Sequence, residues 1–268
     1  MKPIEALLSD WPADHAAICA SRLDGSEQIS FGRVDRVFEI ASVTKLLTAL
    51  VTHIAVEEGS LALTDTAPTG EAIADLLAHA SGLGPDGNPL AAARTRRIYS
   101  NDGYERLATA VEHATGMPFG DYWHEALNPL GLDTLSLDGS AAHGAVGTVT
   151  DVHVAVRALG EPGLIAAETI QRLRIPHLPQ LGGVLPGFGR QDPNLWGLGP
   201  EIRGDKSPHW TGVSNSHATY GHFGAAGTFC WIDPNANVVL SAFSDQPFGD
   251  WAIASWPRLS DAVLSHYR

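Results

Sequence analysis

The chain is predicted to be α/β of the α+β kind: an antiparallel sheet flanked by helices, with a mainly helical region between its two sheet-forming ends. Three observations lead there. Extended patterns fall within residues 16–40 and return within 196–243, so both ends of the chain supply strands. Residues 59–194 read instead as helices joined by loops dense in Gly and Pro. At the junction stands Ser42 to Glu58, apolar on almost every side (Val43, Leu46, Leu47, Leu50, Val51, Ile54, Ala55), the pattern of a helix buried inside a domain. Residues 1–58 and 195–268 are therefore expected to form one discontinuous α/β domain and 59–194 the helical region. The two would make one compact unit, with a ligand cleft between them.

In order, Ile4 to Trp11 has the spacing of a short amphipathic helix. Ala16–Ser21 and Gln28–Phe31 read as strands joined across Asp24-Gly25, a hairpin turn signal. Val34–Ile40 is a third extended piece, leading into the Ser42 helix, which should stop at Gly59. Helices are expected at Thr69–His79, Asp102–Thr115, Phe119–Leu127, Thr150–Leu159 and Ala166–Leu173. Strands are expected at Trp196–Ile202, Ala218–Phe223, Thr228–Asp233 and Val238–Phe243, the last two joined by a turn over Asp233-Pro234-Asn235-Ala236-Asn237. Ile253–Tyr267 reads as a closing amphipathic helix.

Composition removes several classes of function. The 268 residues, 44% apolar and 18% charged, are those of a globular protein with ample core. A net charge of −13 argues against nucleic acid as a partner. Cys19 and Cys230 lie far apart in apolar, strand-like surroundings, which predicts two buried free thiols. The N-terminal stretch has no apolar export core, and no window approaches a membrane span, so a cytoplasmic location is expected. His209, His217 and His222 match no metal-ligand spacing, so neither a metal nor another cofactor is expected.

The chemistry centres on Ser42-Val43-Thr44-Lys45. Residues three apart share a helix face, so the Lys45 amine can return beside the Ser42 hydroxyl. An amine held at a buried helix end loses hydration, its pKa falls, and it becomes a usable base near neutral pH. Alone, Ser-x-x-Lys is also what a capped helix with a snorkelling lysine looks like, Ser42 serving as the cap.

Further motifs decide between these readings. Phe38-Glu39-Ile40-Ala41-Ser42-Val43-Thr44-Lys45, Leu76-Leu77-Ala78-His79-Ala80-Ser81-Gly82-Leu83, Tyr99-Ser100-Asn101, Pro129-Leu130-Gly131-Leu132-Asp133-Thr134 and His222-Phe223-Gly224-Ala225-Ala226-Gly227-Thr228 follow one another in that order. Together they resemble the serine β-lactamase and penicillin-recognising superfamily, in particular its class C β-lactamase, D,D-peptidase and esterase branch. The resemblance implies a β-lactamase/transpeptidase-like fold and a serine hydrolase working through a Ser42 acyl-enzyme. It names Lys45 and Tyr99 as the proton-handling residues and leaves open which is the base; a cationic lysine beside Tyr99 would lower the phenol's pKa. It implies Asn101, His222, Gly224 and Ala225 as substrate-binding positions, with the backbone N–H groups of Ser42 and Ala225 as oxyanion donors. His222 also reads as a hydrogen-bonded strand histidine, and His79 as part of the cleft floor.

Departures from the family pattern refine this. His222 stands where β-lactamases and peptidases carry a lysine, and Phe223 where they carry a hydroxyl, which favours a small-molecule ester, amide or peptide over a β-lactam. The helical middle is short around Asp65–Ala72 and after Gly82, which should open the cleft. The run Arg94-Thr95-Arg96-Arg97 is the dense basic patch of an acidic chain and is expected either on a solvated face or at the cleft mouth. Two alternatives remain: a true D,D-peptidase or β-lactamase, and a non-catalytic binding protein that retains the cleft.

Overall fold

A computed structural model describes residues 3–268; Met1 and Lys2, part of the stretch read for an export signal, lie outside the described residues. The chain opens with α1 (Ile4–Ser9), then the hairpin of β1 (Ala16–Arg22) and β2 (Ile29–Gly32), turning at Gly25 with φ 83°. β3 (Val37–Glu39) leads into α2 (Thr44–Glu57), followed by α3 (Ile73–Leu77), α4 (Asp102–Thr115) and α5 (Phe119–Leu127). Short strands β4 (Ser136–Leu137) and β5 (Ala145–Thr148) precede α6 (Val149–Arg157), α7 (Ala167–Leu173) and the hairpin β6 (Gly183–Leu185)–β7 (Gly189–Gln191). β8 (Glu201–Ile202), β9 (Tyr220–Gly224), β10 (Thr228–Asp233), β11 (Val238–Ser244) and α8 (Asp250–His266) complete it.

The main sheet has six antiparallel strands in the order β2-β1-β11-β10-β9-β8, drawn from both ends of the chain as expected. Its register places Cys19 opposite Ser241, and Cys230 opposite both Ser241 and His222. Successive strand residues point to opposite faces. Ala17, Cys19, Cys230, Ile232 and Phe243 therefore enter the core that holds α2 and α6. Ile18, Ala20, Phe229, Trp231 and Leu240 enter a second core under α1 and α8, rich in Trp11, Trp210 and Trp256. Two covered faces explain why β9 to β11 are buried throughout and read as continuous apolar runs. Both cysteines are buried free thiols.

Helix α2 runs through the first core, with every residue from Thr44 to Ala55 buried, against α4, α5, α6 and β9. The structure shortens three expected elements, one of them Val34–Ile40, of which only Val37–Glu39 is strand. In place of a Thr69–His79 helix, Thr66 bridges Ala72 around Gly70 (φ 107°), and only Ile73–Leu77 is helical. In Trp196–Ile202, Trp196 folds back on Glu201, so only the last two residues join the sheet. Strands β4 to β7 carry no sequence pattern, being only two to four residues long. Among the described residues no helix is long and apolar enough to cross a membrane.

Candidate active site

Ser42 lies in a 3-10 turn, Ala41–Val43, that enters α2 from below β9. It is not the cap of that helix: Val43 holds the cap position without a side-chain hydrogen bond, so the Ser42 hydroxyl is released from backbone duty. Ala41 just before it adopts φ 45°, a left-handed conformation uncommon for alanine. The turn is pinned to the sheet by the Thr228 hydroxyl, which donates to the Ile40 carbonyl at 2.8 Å. Gly224 is needed here because a Cβ would stand 2.5 Å from that same carbonyl.

Two side chains converge on the Ser42 hydroxyl. Tyr99 Oη donates to Ser42 Oγ at 2.8 Å, and Lys45 Nζ lies 3.3 Å from Ser42 Oγ on the other side. Lys45 also donates to Asn101 Oδ1 at 2.7 Å and to the Ala142 carbonyl at 2.9 Å. Its amine sits over the rings of Tyr99 and Tyr104, at 4.8 and 5.5 Å from their centres. The Ala142 carbonyl is held in place from α4: Glu105 accepts from Ser140 Oγ and from the backbone N–H groups of Ala141 and Ala142. Burial takes Lys45 down to about 7, against the upward pull of the Glu105 charge. Burial pushes the Tyr99 phenol above its ordinary value, and its bond to Ser42 only partly offsets this. The expected lowering of Tyr99 by a neighbouring cation is thus reversed, because desolvation of the phenol itself disfavours its charged form.

His79, at φ 53°, accepts the Ser100 N–H on Nδ1 at 3.2 Å and packs its ring 4.6 Å from both Tyr99 and Trp196. It forms the floor on which Tyr99-Ser100-Asn101 rests. His222 lies beyond Trp196, 4% exposed, and its Nδ1–H donates to the Phe223 carbonyl at 2.6 Å. Burial, with the Lys45 charge, takes His222 down to about 3, so it is neutral at physiological pH.

Two cavities meet at Ser42, Asn101 and Ala225. The larger, about 600 Å³, is bordered by Glu39, Ala41, Asp138, His143 and the β5 backbone. The smaller, about 230 Å³, is walled by Tyr99, Leu185, Trp196, His222, Phe223 and Phe248, with Glu201 at its back. Of the seven residues singled out by the motifs, Ser42, Tyr99, Asn101, His222 and Ala225 line this crevice. Lys45 lies buried behind Ser42 and Asn101, and Gly224 packs against the Ile40 carbonyl, neither of them bordering these two cavities. Glu105, the Ala142 carbonyl and Trp196 were not foreseen, since each acts across a separation in sequence that leaves no local pattern.

The basic run does not reach the cleft mouth. Arg97 is buried and clamps four carbonyls (Ala78, His177, Leu178, Asn194), Arg94 pairs with Asp75, and Arg96 donates to Leu90. His209 is bonded to Glu201, and His217 pairs with Asp205 at the surface. Among the described residues no group of His, Cys, Asp or Glu is arranged to hold a metal ion.

Fold and crevice together define a class: residues 28–263 match the β-lactamase family model, and the chain belongs to that family. Within it, the chain is similar to a Mycobacterium bovis protein whose structure is described as a β-lactamase. The two share 44% identity over 98% of this chain and 99% of the other, with a TM-score of 0.95. More distant likenesses are of fold alone. EstCE1, described as a hydrolase with promiscuous acyltransferase activity, has TM-score 0.80 at 17% identity, covering 97% of both chains. Simvastatin synthase from Aspergillus terreus has TM-score 0.83 at 16% identity, covering 99% of this chain and 97% of the other. Comparison with curated proteins gives no match.

Proposed function

We propose that this member of the β-lactamase family is a serine hydrolase that passes the acyl group of an ester or small amide through Ser42 to water. The count of protons around Ser42 carries this reading. A neutral Lys45 has two N–H groups, and Asn101 Oδ1 and the Ala142 carbonyl accept both. Its lone pair is left for the remaining neighbour, Ser42 Oγ. Tyr99 already donates to Ser42 Oγ, so the hydroxyl's own proton is free to point at Lys45. Lys45 is then the base, and Tyr99, whose phenol burial keeps protonated, is the acid.

Acylation follows in balance. Ser42 Oγ bonds to the acyl carbon as its proton passes to Lys45. The oxyanion is held by the backbone N–H groups of Ser42 and Ala225, which border both cavities. As the bond to the departing oxygen or nitrogen breaks, Tyr99 gives that atom its proton and recovers one from Lys45. Water entering by the same route releases the acid. The neutral His222 and the apolar Phe223 support an ester or neutral amide rather than a β-lactam, whose carboxylate needs a cation there.

The test is covalent labelling. Incubation with a fluorophosphonate or with p-nitrophenyl acetate should add one adduct to the intact mass, and Ser42→Ala should abolish it together with turnover. Undiminished labelling in that variant would end the proposal. Rapid hydrolysis of a chromogenic cephalosporin would move it to a true β-lactamase.

A further inference from the structure

Tyr99 borders only the smaller of the two cavities, while Ser42, Asn101 and Ala225 border both. This asymmetry orients the substrate. The phenol that protonates the departing atom must face it, so the leaving group enters the smaller cavity and the acyl group lies in the larger one.

From this geometry we infer that the departing half of the substrate is a compact, uncharged, apolar alcohol or phenol, seated among Leu185, Trp196, Phe223 and Phe248. The inference rests on the hydrolase reading above and names its substrate class. Size is the first reason. The cavity is about 230 Å³, below the roughly 300–1,000 Å³ of sites for drug-sized ligands. It is above the roughly 150 Å³ in which an apolar cavity takes up benzene, so one substituted ring fits. The lining is the second reason. Aromatic faces surround the space, with Phe223 and Phe248 ring centres 5.0 Å apart.

Charge is the third. Among the described residues no lysine or arginine lines this cavity. Its histidine spends Nδ1–H on the Phe223 carbonyl, leaving only a lone pair on Nε2, which has no partner. The acid at the back, Glu201, has its oxygens occupied by Lys206, His209 and Trp210. The indole N–H of Trp196, likewise buried and without a partner, brings no charge. A carboxylate entering here would shed its water and meet no cation.

Two esters with one acyl group test this: phenyl acetate and 4-acetoxybenzoate, each rate divided by its rate with hydroxide. At pH 7.5 the neutral ester should have at least a tenfold higher kcat/KM, and equal values would overturn the inference. Leu185→Trp narrows the seat and should lower the ratio of phenyl acetate to vinyl acetate turnover at least fivefold; an unchanged ratio places the leaving group elsewhere and overturns it. His222→Lys supplies a cation and should shift the preference toward 4-acetoxybenzoate by at least fivefold; no shift counts against the assigned seat. Acetylation of Ser42, read by intact mass, separates the two levels. If neither ester acetylates it, the hydrolase reading fails and the inference with it. If both do at equal rates, only the inference fails.

Discussion

At the scale of single residues the site is a matter of where protons sit. Lys45 is fully buried, yet its three neighbours are two acceptors and a hydroxyl, a surrounding that a neutral amine satisfies as well as a cation. With its value near 7 and the neutral form required, kcat/KM for a neutral ester should fall about tenfold per pH unit below 7 and level off above it. Tyr99, pushed upward by burial, stays protonated through pH 9, so no descending limb is expected there. A pH profile between 5 and 9 checks both; a flat profile would remove Lys45 as the base. The sign for stability follows from the same lysine. The unfolded chain keeps its proton up to about pH 10.5, so the cost of burying Lys45 is largest below pH 7 and fades as pH rises toward 10.5.

At the scale of elements, the turn before α2 and strand β9 hold each other in place. Gly224→Ala would drive a methyl into the Ile40 carbonyl and the Thr228 hydroxyl that pins it. The variant should lose about 1–3 kcal/mol of stability as an overpacked site, read by urea unfolding, and its kcat/KM should drop with KM little changed. Wild-type values for both would separate the turn from the strand. This coupling also marks what could be read without coordinates. Helix α2 and strands β9 to β11 were legible because burial on all sides writes an apolar run that needs no partner to recognise. Ser42, Lys45, Tyr99 and Asn101 were legible because each sits in a short local motif. Glu105 was not, because it works by gripping residues 140–142, some 35 positions away. The direction of the Tyr99 shift was missed for a similar reason: how deeply a phenol is buried is decided by His79 and Trp196, not by its neighbours in sequence.

At the scale of the molecule, a buried charged cluster stands behind the small cavity. Glu201 binds Lys206, His209 and Trp210, and both ends of the Glu201–Lys206 pair are almost wholly hidden from water. Glu201→Gln would leave Lys206 buried without its counter-charge and should cost about 3–5 kcal/mol in urea unfolding at pH 7. Glu161→Gln, on an exposed turn, should stay within about 0.5 kcal/mol of the parent. Equal stabilities would show that the cluster is dispensable. A different consequence follows from β1, which lies between β2 and β11 and thus has a neighbour more than two hundred positions downstream. During synthesis helix α2 leaves the ribosome long before β11, the strand that pairs with β1. Until then β1 presents a bare hydrogen-bonding edge, to which a second nascent copy could attach. The exposed period therefore runs from the emergence of β1 until β11, Val238–Ser244, has been made, and so spans most of translation.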